Sequence, residues 1–333
     1  MGINSRMKVL IIGAGNIAQG FDDVDNDLIR THIKGYRNFE EYFYVDTFFD
    51  INGAKCESAA LKWSVPNWVS DFSELKMNYY DVISICTPDD THGYYLKKAI
   101  QMCPKVIFLE KPIGLSYQEA EDLFSLCEKS GILLLVNYSR LYLPEFQVIK
   151  QRIKESEFGK ILSISLKYHK GFYHNASHLL NLLIYLIDPN FEWAVITGVI
   201  NDYTKEDPSY SAYVNLSKYD QKVSLIIEAF DSSIINMLEL DIIAENGRVI
   251  YGESKGAVVN EYKKINYFDG MELKEYIHTC DYRIDYSQAM INAIESIKDY
   301  GNEHKINSLS QKELHLKTID FMERICKAEF LMH

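Results

Sequence analysis

Three stretches of this 333-residue sequence carry side chains whose types and spacing could do chemistry. Glu110-Lys111-Pro112 sets a carboxylate beside an ammonium directly after the apolar run Lys105-Val-Ile-Phe-Leu109. An ammonium held at such a strand end can stabilise an alkoxide as it develops; the same lysine standing alone before a proline turn would be a solvated surface group. The second stretch is His174-Asn-Ala-Ser-His178-Leu-Leu-Asn181-Leu-Leu-Ile-Tyr185. On a helix, polar residues at 174, 178, 181 and 185 form one stripe, with leucine and isoleucine covering the other side, and the stripe lines either solvent or a cleft. In a cleft its histidines could take or give a proton. His174 and His178, with His169 nearby, could also bind a metal. Zinc sites usually add cysteine or carboxylate ligands at recognisable spacing, and none stands out, so no metal is expected. The third stretch, Gly13-Ala-Gly15-Asn16-Ile17-Ala18, follows the apolar run Lys8-Val-Leu-Ile-Ile12. There Gly13 would permit a tight turn and Gly15 the close approach of a pyrophosphate to the backbone. Ala18 would keep helix and strand close, and the N–H groups of Asn16, Ile17 and Ala18 would hold phosphate oxygens at the helix start.

The elements that must position these groups follow from the alternation of apolar runs and amphipathic segments. Strands are predicted over 8–12, 42–49, 81–86, 105–109 and 132–136, with helices over 31–39, 53–61, 92–102 and 117–130 between them. A first helix follows the glycine turn directly, and the acidic stretch 21–28 reads as a surface insertion. Strands and helices alternating at this spacing imply an α/β fold, with an N-terminal doubly wound parallel sheet of the Rossmann kind. Ligands of such sheets bind at the carboxyl ends of the strands, where Thr87, Pro88, Glu110 and Lys111 all lie. Asp50, ending the second strand, would accept the adenosine ribose hydroxyls and repel a 2′-phosphate, favouring NAD over NADP; alternatively it caps the following helix. His92 opens the helix after Thr87-Pro88 and would pack under the cofactor. Cys86 reads as core and not as a nucleophile. Beyond Asn137 strands predominate, over 160–168, 193–202, 210–216, 222–230, 237–244 and 248–251, their short connections implying antiparallel hairpins. Helices over 282–300 and 310–329 close the chain, the last capped by Ser308 or Ser310. Two domains are expected, a dinucleotide-binding domain over 1–137 and an α/β domain over 138–333.

Composition narrows the classes of partner. Forty-seven per cent hydrophobic and 25% charged residues are ordinary for a globular protein. A formal net charge of −12 argues against a nucleic-acid partner, since neutralising phosphates requires a basic face. Neither a long apolar span nor an N-terminal apolar segment stands out, so no membrane association and a cytoplasmic protein are expected. The six cysteines are scattered without a C-x-x-C pair, which fits reduced core thiols.

Taken in order, Gly13-x-Gly-x-x-Ala18, Asp50, Thr87-Pro88-x-x-x-His92, Glu110-Lys111-Pro112 and the turn from Asn137 to Arg140 resemble the Gfo/Idh/MocA oxidoreductases. That resemblance implies a Rossmann domain joined to an α/β domain with an open, mostly antiparallel sheet, the second domain binding substrate and mediating oligomers. It also implies NAD(P)-dependent chemistry at a secondary alcohol or ketone of a sugar, sugar nucleotide or related polyol, possible roles including unusual-sugar or surface-polysaccharide biosynthesis. Lys111 would reach the reacting hydroxyl, and Glu110 would sit near the nicotinamide ribose. His178 matches the acid/base histidine of the family's Asp-x-Gly-x-His-x-x-Asp signature, while His174, Ala176 and Asn181 replace its aspartates and glycine. His174 is therefore expected to contact substrate only. Arg140 would bind a substrate carboxylate or phosphate, or pair with an acidic neighbour. The partners expected are a small sugar-like molecule and further copies of the chain, as a dimer or tetramer. Two rival functions remain: a non-catalytic NAD-binding sensor, and a glycoside hydrolase that recycles its NAD.

Overall fold

The run of β-branched and leucine residues that opens the sequence is the centre of a sheet. In the computed structural model, which describes residues 6–218, 221–252, 256–268, 271–303 and 312–331, Val9 to Ile12 are fully buried in β1 (Met7–Ile12). The chain continues through α1 (His32–Arg37), β2 (Phe43–Phe49), α2 (Gly53–Lys62), β3 (Asn67–Val69), β4 (Val82–Ile85), α3 (His92–Gln101), β5 (Val106–Leu109), α4 (Tyr117–Lys129) and β6 (Leu133–Val136). All six strands pair in parallel in the order β3-β2-β1-β4-β5-β6. The order reverses at β1, which makes its carboxyl end the natural place for a ligand. The expected doubly wound sheet is present, with β3 added. Three residues are too few for a period to be read, so that strand is not legible in the sequence.

One expected element differs. No α-helix follows the glycine turn. Instead Asn16–Gly20 forms a single π-helical turn, in which the N–H groups of Gly20 and Phe21 reach back to the carbonyls of Gly15 and Asn16. The acidic segment after it is pinned and not merely draped over the surface. Asp22, 1% exposed, accepts the backbone N–H groups of Arg30 (2.7 Å) and Thr31 (2.8 Å) and the Thr31 hydroxyl (2.8 Å). Burial alone would raise the Asp22 carboxyl, but these donors outweigh it and hold it below the ordinary range. The two ends of the insertion are thus tied together at the entrance to α1.

The second unit begins with α5 (Pro144–Lys154), β7 (Ile161–His169) and α6 (Ser177–Ile187). Then come β8 (Asn190–Thr204), β9 (Asp207–Lys218), β10 (Gln221–Phe230), β11 (Glu239–Ala244), β12 (Gly247–Gly252), β13 (Gly256–Phe268) and β14 (Met271–Tyr282). After α7 (Tyr286–Glu303) and α8 (Lys312–Cys326), β15 (Glu329–Phe330) completes a nine-stranded sheet in the order β14-β13-β12-β11-β7-β10-β9-β8-β15. Its neighbours are antiparallel except β7 with β10 and β8 with β15. On β9, Ala212, Val214 and Leu216 are buried and the residues between them are not, the period of a strand with one covered face. β13 and β14 lie outside the predicted strands, because their charged and amide-bearing sequence lacks an apolar run. The connection from β9 to β10 (219–220) and the caps proposed at Ser308 and Ser310 lie outside the described residues.

The chain divides into Met1–Tyr142 with Asp285–Leu316, and Leu143–Ile284 with Lys317–His333. The expected boundary at 137/138 falls close to the first crossing, but a simple division into 1–137 and 138–333 does not hold, because α7 belongs to the first unit. Met290, Ala293, Ile294 and Ile297 of α7 pack in one core with Ile33 and Tyr36 of α1. The helices approach so closely at Gly35 that a Cβ there would stand 2.9 Å from Ile294 and 3.0 Å from Met290.

Among the described residues no helix is long and apolar enough to cross a membrane. The cysteines form no disulfide; Cys56, Cys86 and Cys127 are buried.

His315, on α8, is buried between the rings of Tyr138 (5.1 Å) and Phe124 (6.2 Å), nearly parallel to both. Burial pushes its imidazole down to about 3. A folded-state value below the unfolded one means full stability above about pH 6.5 and a loss as pH falls, when only the unfolded chain takes the proton. Between pH 7 and pH 5 this residue is expected to remove about 2 kcal/mol of stability. Denaturant titrations at the two pH values should therefore converge in His315→Phe, relative to the native sequence.

Candidate functional site

The backbone ladder of the first unit runs on past the ends of its strands. Gly13 donates to the Phe49 carbonyl (2.7 Å), Cys86 to Ile12 (2.7 Å), Glu110 to Ile85 (3.0 Å) and Asn137 to Leu109 (2.8 Å). The residues singled out from the sequence therefore stand in one row along the carboxyl edge. Gly13 has φ +93°, and a Cβ on it would meet the Cys86 carbonyl oxygen at 2.6 Å. At Gly15 the nearest atom to a Cβ is Lys55 Nζ, 3.7 Å away, so this stretch of backbone is open. The Thr87 hydroxyl is buried with no hydrogen-bond partner among the described residues. An open glycine face beside a buried, unsatisfied hydroxyl suits the phosphates and ribose of a dinucleotide.

Asp50 ends β2 as expected, and its carboxylate faces the glycine turn. Oδ2 accepts the Ala14 N–H (2.8 Å) and lies 3.4 Å from Lys55 Nζ, while Oδ1 accepts from Asn52 (2.9 Å). The side chain that caps α2 belongs to Asn52, which accepts from Lys55 N (3.1 Å), so the capping alternative for Asp50 falls. His92 is fully buried, with Nδ1 2.7 Å from the Pro112 carbonyl and Nε2 2.9 Å from that of Thr87. It clamps the loops after β4 and β5 to each other. The Thr91 hydroxyl donates to Pro88 O (2.7 Å). Cys86 is buried, and burial pushes its thiol well up, in keeping with a core role.

Lys111 is 8% exposed, next to a carboxylate whose surroundings the sequence did not reveal. Glu110 Oε1 receives Asn137 Nδ2 (2.7 Å) and stands 2.8 Å from Nε2 of the fully buried His32. Burial would raise the Glu110 carboxyl. The hydrogen bonds from His32 and Asn137 and the Lys111 ammonium outweigh it and hold the group below the ordinary carboxylate range. A polar residue on the inward face of the short helix 31–39 was the only signal pointing to His32. Arg140 is buried in the turn after β6 with its guanidinium 5.6 Å from the centre of the Tyr286 ring.

His174 and His178 lie in the second unit. His174 stands on a π-helical turn, Phe172–Ala176, and not on the expected continuous helix, and its ring stacks on Tyr203 at 4.5 Å. The turn is held by Asp207, whose carboxylate accepts the N–H groups of Tyr173 (2.8 Å) and His174 (2.9 Å). Burial dominates at Asp207 and raises its carboxyl. His178 is half-buried in the first turn of α6. Asn181 departs from the expected polar stripe: it is 1% exposed and donates to Thr318 Oγ1 (3.0 Å), locking α6 to α8. Among the described residues no cluster of three or more histidine, cysteine or acidic side chains could hold a metal.

Residues 7–138 match the oxidoreductase family with an NAD-binding Rossmann fold known as Gfo/Idh/MocA. The match covers less than half of the chain. Its curated relatives include a scyllo-inositol 2-dehydrogenase (NAD(+)) of Bacillus subtilis, 31% identical over 119 residues, or 35% of this chain and 33% of that protein. Another is a D-xylose dehydrogenase of Paenarthrobacter nicotinovorans, 32% identical over 114 residues, or 34% and 29%. The alignment thus spans about a third of these relatives' length. Solved structures extend the likeness to the whole chain at the level of fold. A 3-ketoreductase from Actinomadura kijaniata in complex with NADP and TDP-benzene gives a TM-score of 0.74 at 14% identity, covering 98% of each chain. Levoglucosan dehydrogenase in complex with NADH gives 0.73 at 14% identity, covering 96% of each. The matched segment coincides with the parallel sheet and its carboxyl edge.

Proposed function

We propose that this chain is an NAD(P)-dependent oxidoreductase acting on a secondary alcohol or ketone of a sugar, sugar nucleotide or related polyol. The observation that carries the reading is the buried Lys111 next to Glu110 at the end of β5, in one row with Gly13 and the unsatisfied Thr87 hydroxyl. Gly13, Gly15, Asn16, Ile17 and Ala18 would take the phosphates, Asp50 the adenosine ribose, and Thr87, Pro88 and Glu110 the nicotinamide half, with His92 bracing the loops beneath. When bound, the dinucleotide accepts or donates hydride. Lys111 holds the substrate oxygen and stabilises its alkoxide charge. His178 gives or takes the proton, and His174 contacts substrate.

Asp50 favours NAD over NADP, because its carboxylate repels a 2′-phosphate. Lys55, 3.4 Å from that carboxylate, partly offsets the repulsion. Fluorescence titration of the purified protein should give tighter binding of NADH than of NADPH, and Asp50→Asn is expected to narrow the ratio roughly tenfold. Equal affinities in the native protein would remove the cofactor assignment. Mass spectrometry of small molecules retained by the purified protein would identify the substrate class. Binding of NADH without turnover of any polyol offered would leave a nucleotide sensor in place of an enzyme.

The cytoplasm suits the free thiols. Trp193, Tyr213 and Ile226 lie on the uncovered face of the second unit's sheet, Trp193 50% and Ile226 42% exposed, which supports a homo-oligomer built on that face.

A further inference from the structure

We infer that His32 is a positioning residue for Lys111, acting through the Glu110 carboxylate. The inference rests on the oxidoreductase reading only in giving Lys111 a catalytic task. Its physical basis lies within the first unit.

The His32 ring is fully buried against Phe108, 4.6 Å between centroids, and both of its nitrogens are engaged. Nε2 meets Glu110 Oε1 at 2.8 Å and Nδ1 meets Ser84 Oγ at 3.1 Å, while Ser84 Oγ lies 2.8 Å from the Tyr36 hydroxyl. An ionised Glu110 can only accept, and that fixes the polarity of everything behind it. With a neutral ring, His32 Nε2–H donates to the carboxylate, Ser84 O–H donates to Nδ1, and Tyr36 O–H donates to Ser84. This line of donors runs from Tyr36 on α1 to Ser84 on β4, back to His32 on α1 and on to Glu110, one residue from Lys111. Buried carboxylates are costly unless hydrogen-bonded. With Asn137 on the same oxygen, His32 is what keeps an anion beside the Lys111 amine.

The titratable groups facing Glu110 are His32 from α1, Lys111 beside it, Cys86 from the end of β4 and Tyr142 from the turn after β6. Tyr36 stands behind them against Cys86. Burial pushes Cys86, Tyr142 and Tyr36 up, so these stay protonated near neutrality. The charge at Lys111 therefore answers to Glu110, and Glu110 to His32.

The test reads Lys111 directly, in protein without substrate. Lysine labelled with carbon-13 at the ε position is followed by NMR against pH, the Lys111 signal being assigned by its loss in Lys111→Met. His32→Leu removes the donor, favours protonation of Glu110 and is expected to lower the Lys111 titration midpoint by about one unit. Glu110→Gln should do the same, and the double variant should go no further. His32→Gln, which keeps an N–H donor, should restore most of the midpoint. If His32→Leu does not fold, His32→Asn, too short to reach Glu110, takes its place. A Lys111 midpoint that moves in Glu110→Gln but not in a folded His32 variant overturns the inference and leaves the oxidoreductase reading untouched. Failure to bind NADH removes that reading while the Lys111 titration still decides the role of His32.

Discussion

Lys111→Met is expected to keep NADH binding within about twofold and to lower kcat by about a thousandfold, with little change in KM. A single positioned proton-transfer or oxyanion-stabilising group contributes roughly a hundred- to ten-thousandfold to rate. Methionine preserves the length and apolar stem of lysine, so the buried site, 8% exposed at Lys111, stays filled. Glu110 keeps its donors from His32 and Asn137, and the row of backbone bonds that carries Gly13 and Asn137 does not involve the lysine side chain. The loss should therefore appear in the chemical step and not in assembly of the nucleotide edge. Stopped-flow measurement of the first turnover, with whichever substrate the native protein is found to turn over, separates the two. Native kcat in this variant would remove Lys111 from the reaction. A parallel loss of NADH affinity would make it a cofactor ligand instead.

The second large effect is expected at Gly13. Alanine there adds a Cβ 2.6 Å from the Cys86 carbonyl oxygen and 2.8 Å from its carbon, both backbone atoms of a buried strand end. It also forces φ +93° on a residue with a side chain. Neither strain can be relieved by rotating a side chain, and β1 and β4 must part or the turn must rebuild. We expect a loss of about 3 kcal/mol in unfolding free energy together with loss of detectable NADH binding. Chemical denaturation and fluorescence titration check the two halves separately. Gly15→Ala is the comparison, since nothing lies closer than 3.7 Å to its added carbon. It should fold normally and weaken NADH binding alone. Native-like stability in Gly13→Ala would mean that the turn is not under the constraint described.

What could be read from the sequence was what local periodicity encodes. Strand-like runs five to eight residues long, separated by helices, gave five of the six strands of the parallel sheet and placed Gly13, Asp50, Thr87, Glu110 and Lys111 at one edge. What could not be read depends on partners far away in the chain. His32 is 52 residues from Ser84 and 78 from Glu110, and only the order in which parallel strands lie side by side brings them together. Asp207 reaches back 34 residues to Tyr173 through a hairpin whose local sequence says nothing of its target. Asn181 reads as part of a polar stripe because its spacing is helical, yet its partner, 137 residues on, turns it inward. The turn at 16–20 shows a different limit. Glycine spacing specifies the turn, but the length of helix after it depends on where the acidic insertion leaves.

The place of α7 has a consequence for how the polypeptide is made. Residues 143–284 leave the ribosome before Met290, Ala293, Ile294 and Ile297, which complete the core around Ile33 and Tyr36. Vectorial synthesis therefore delivers eight of the nine strands of the later sheet, all but β15, while the earlier one still lacks a wall, which departs from simple N-terminal-first maturation. Cutting away the last fifty residues would not trim an appendage: it would open the interior of the nucleotide half.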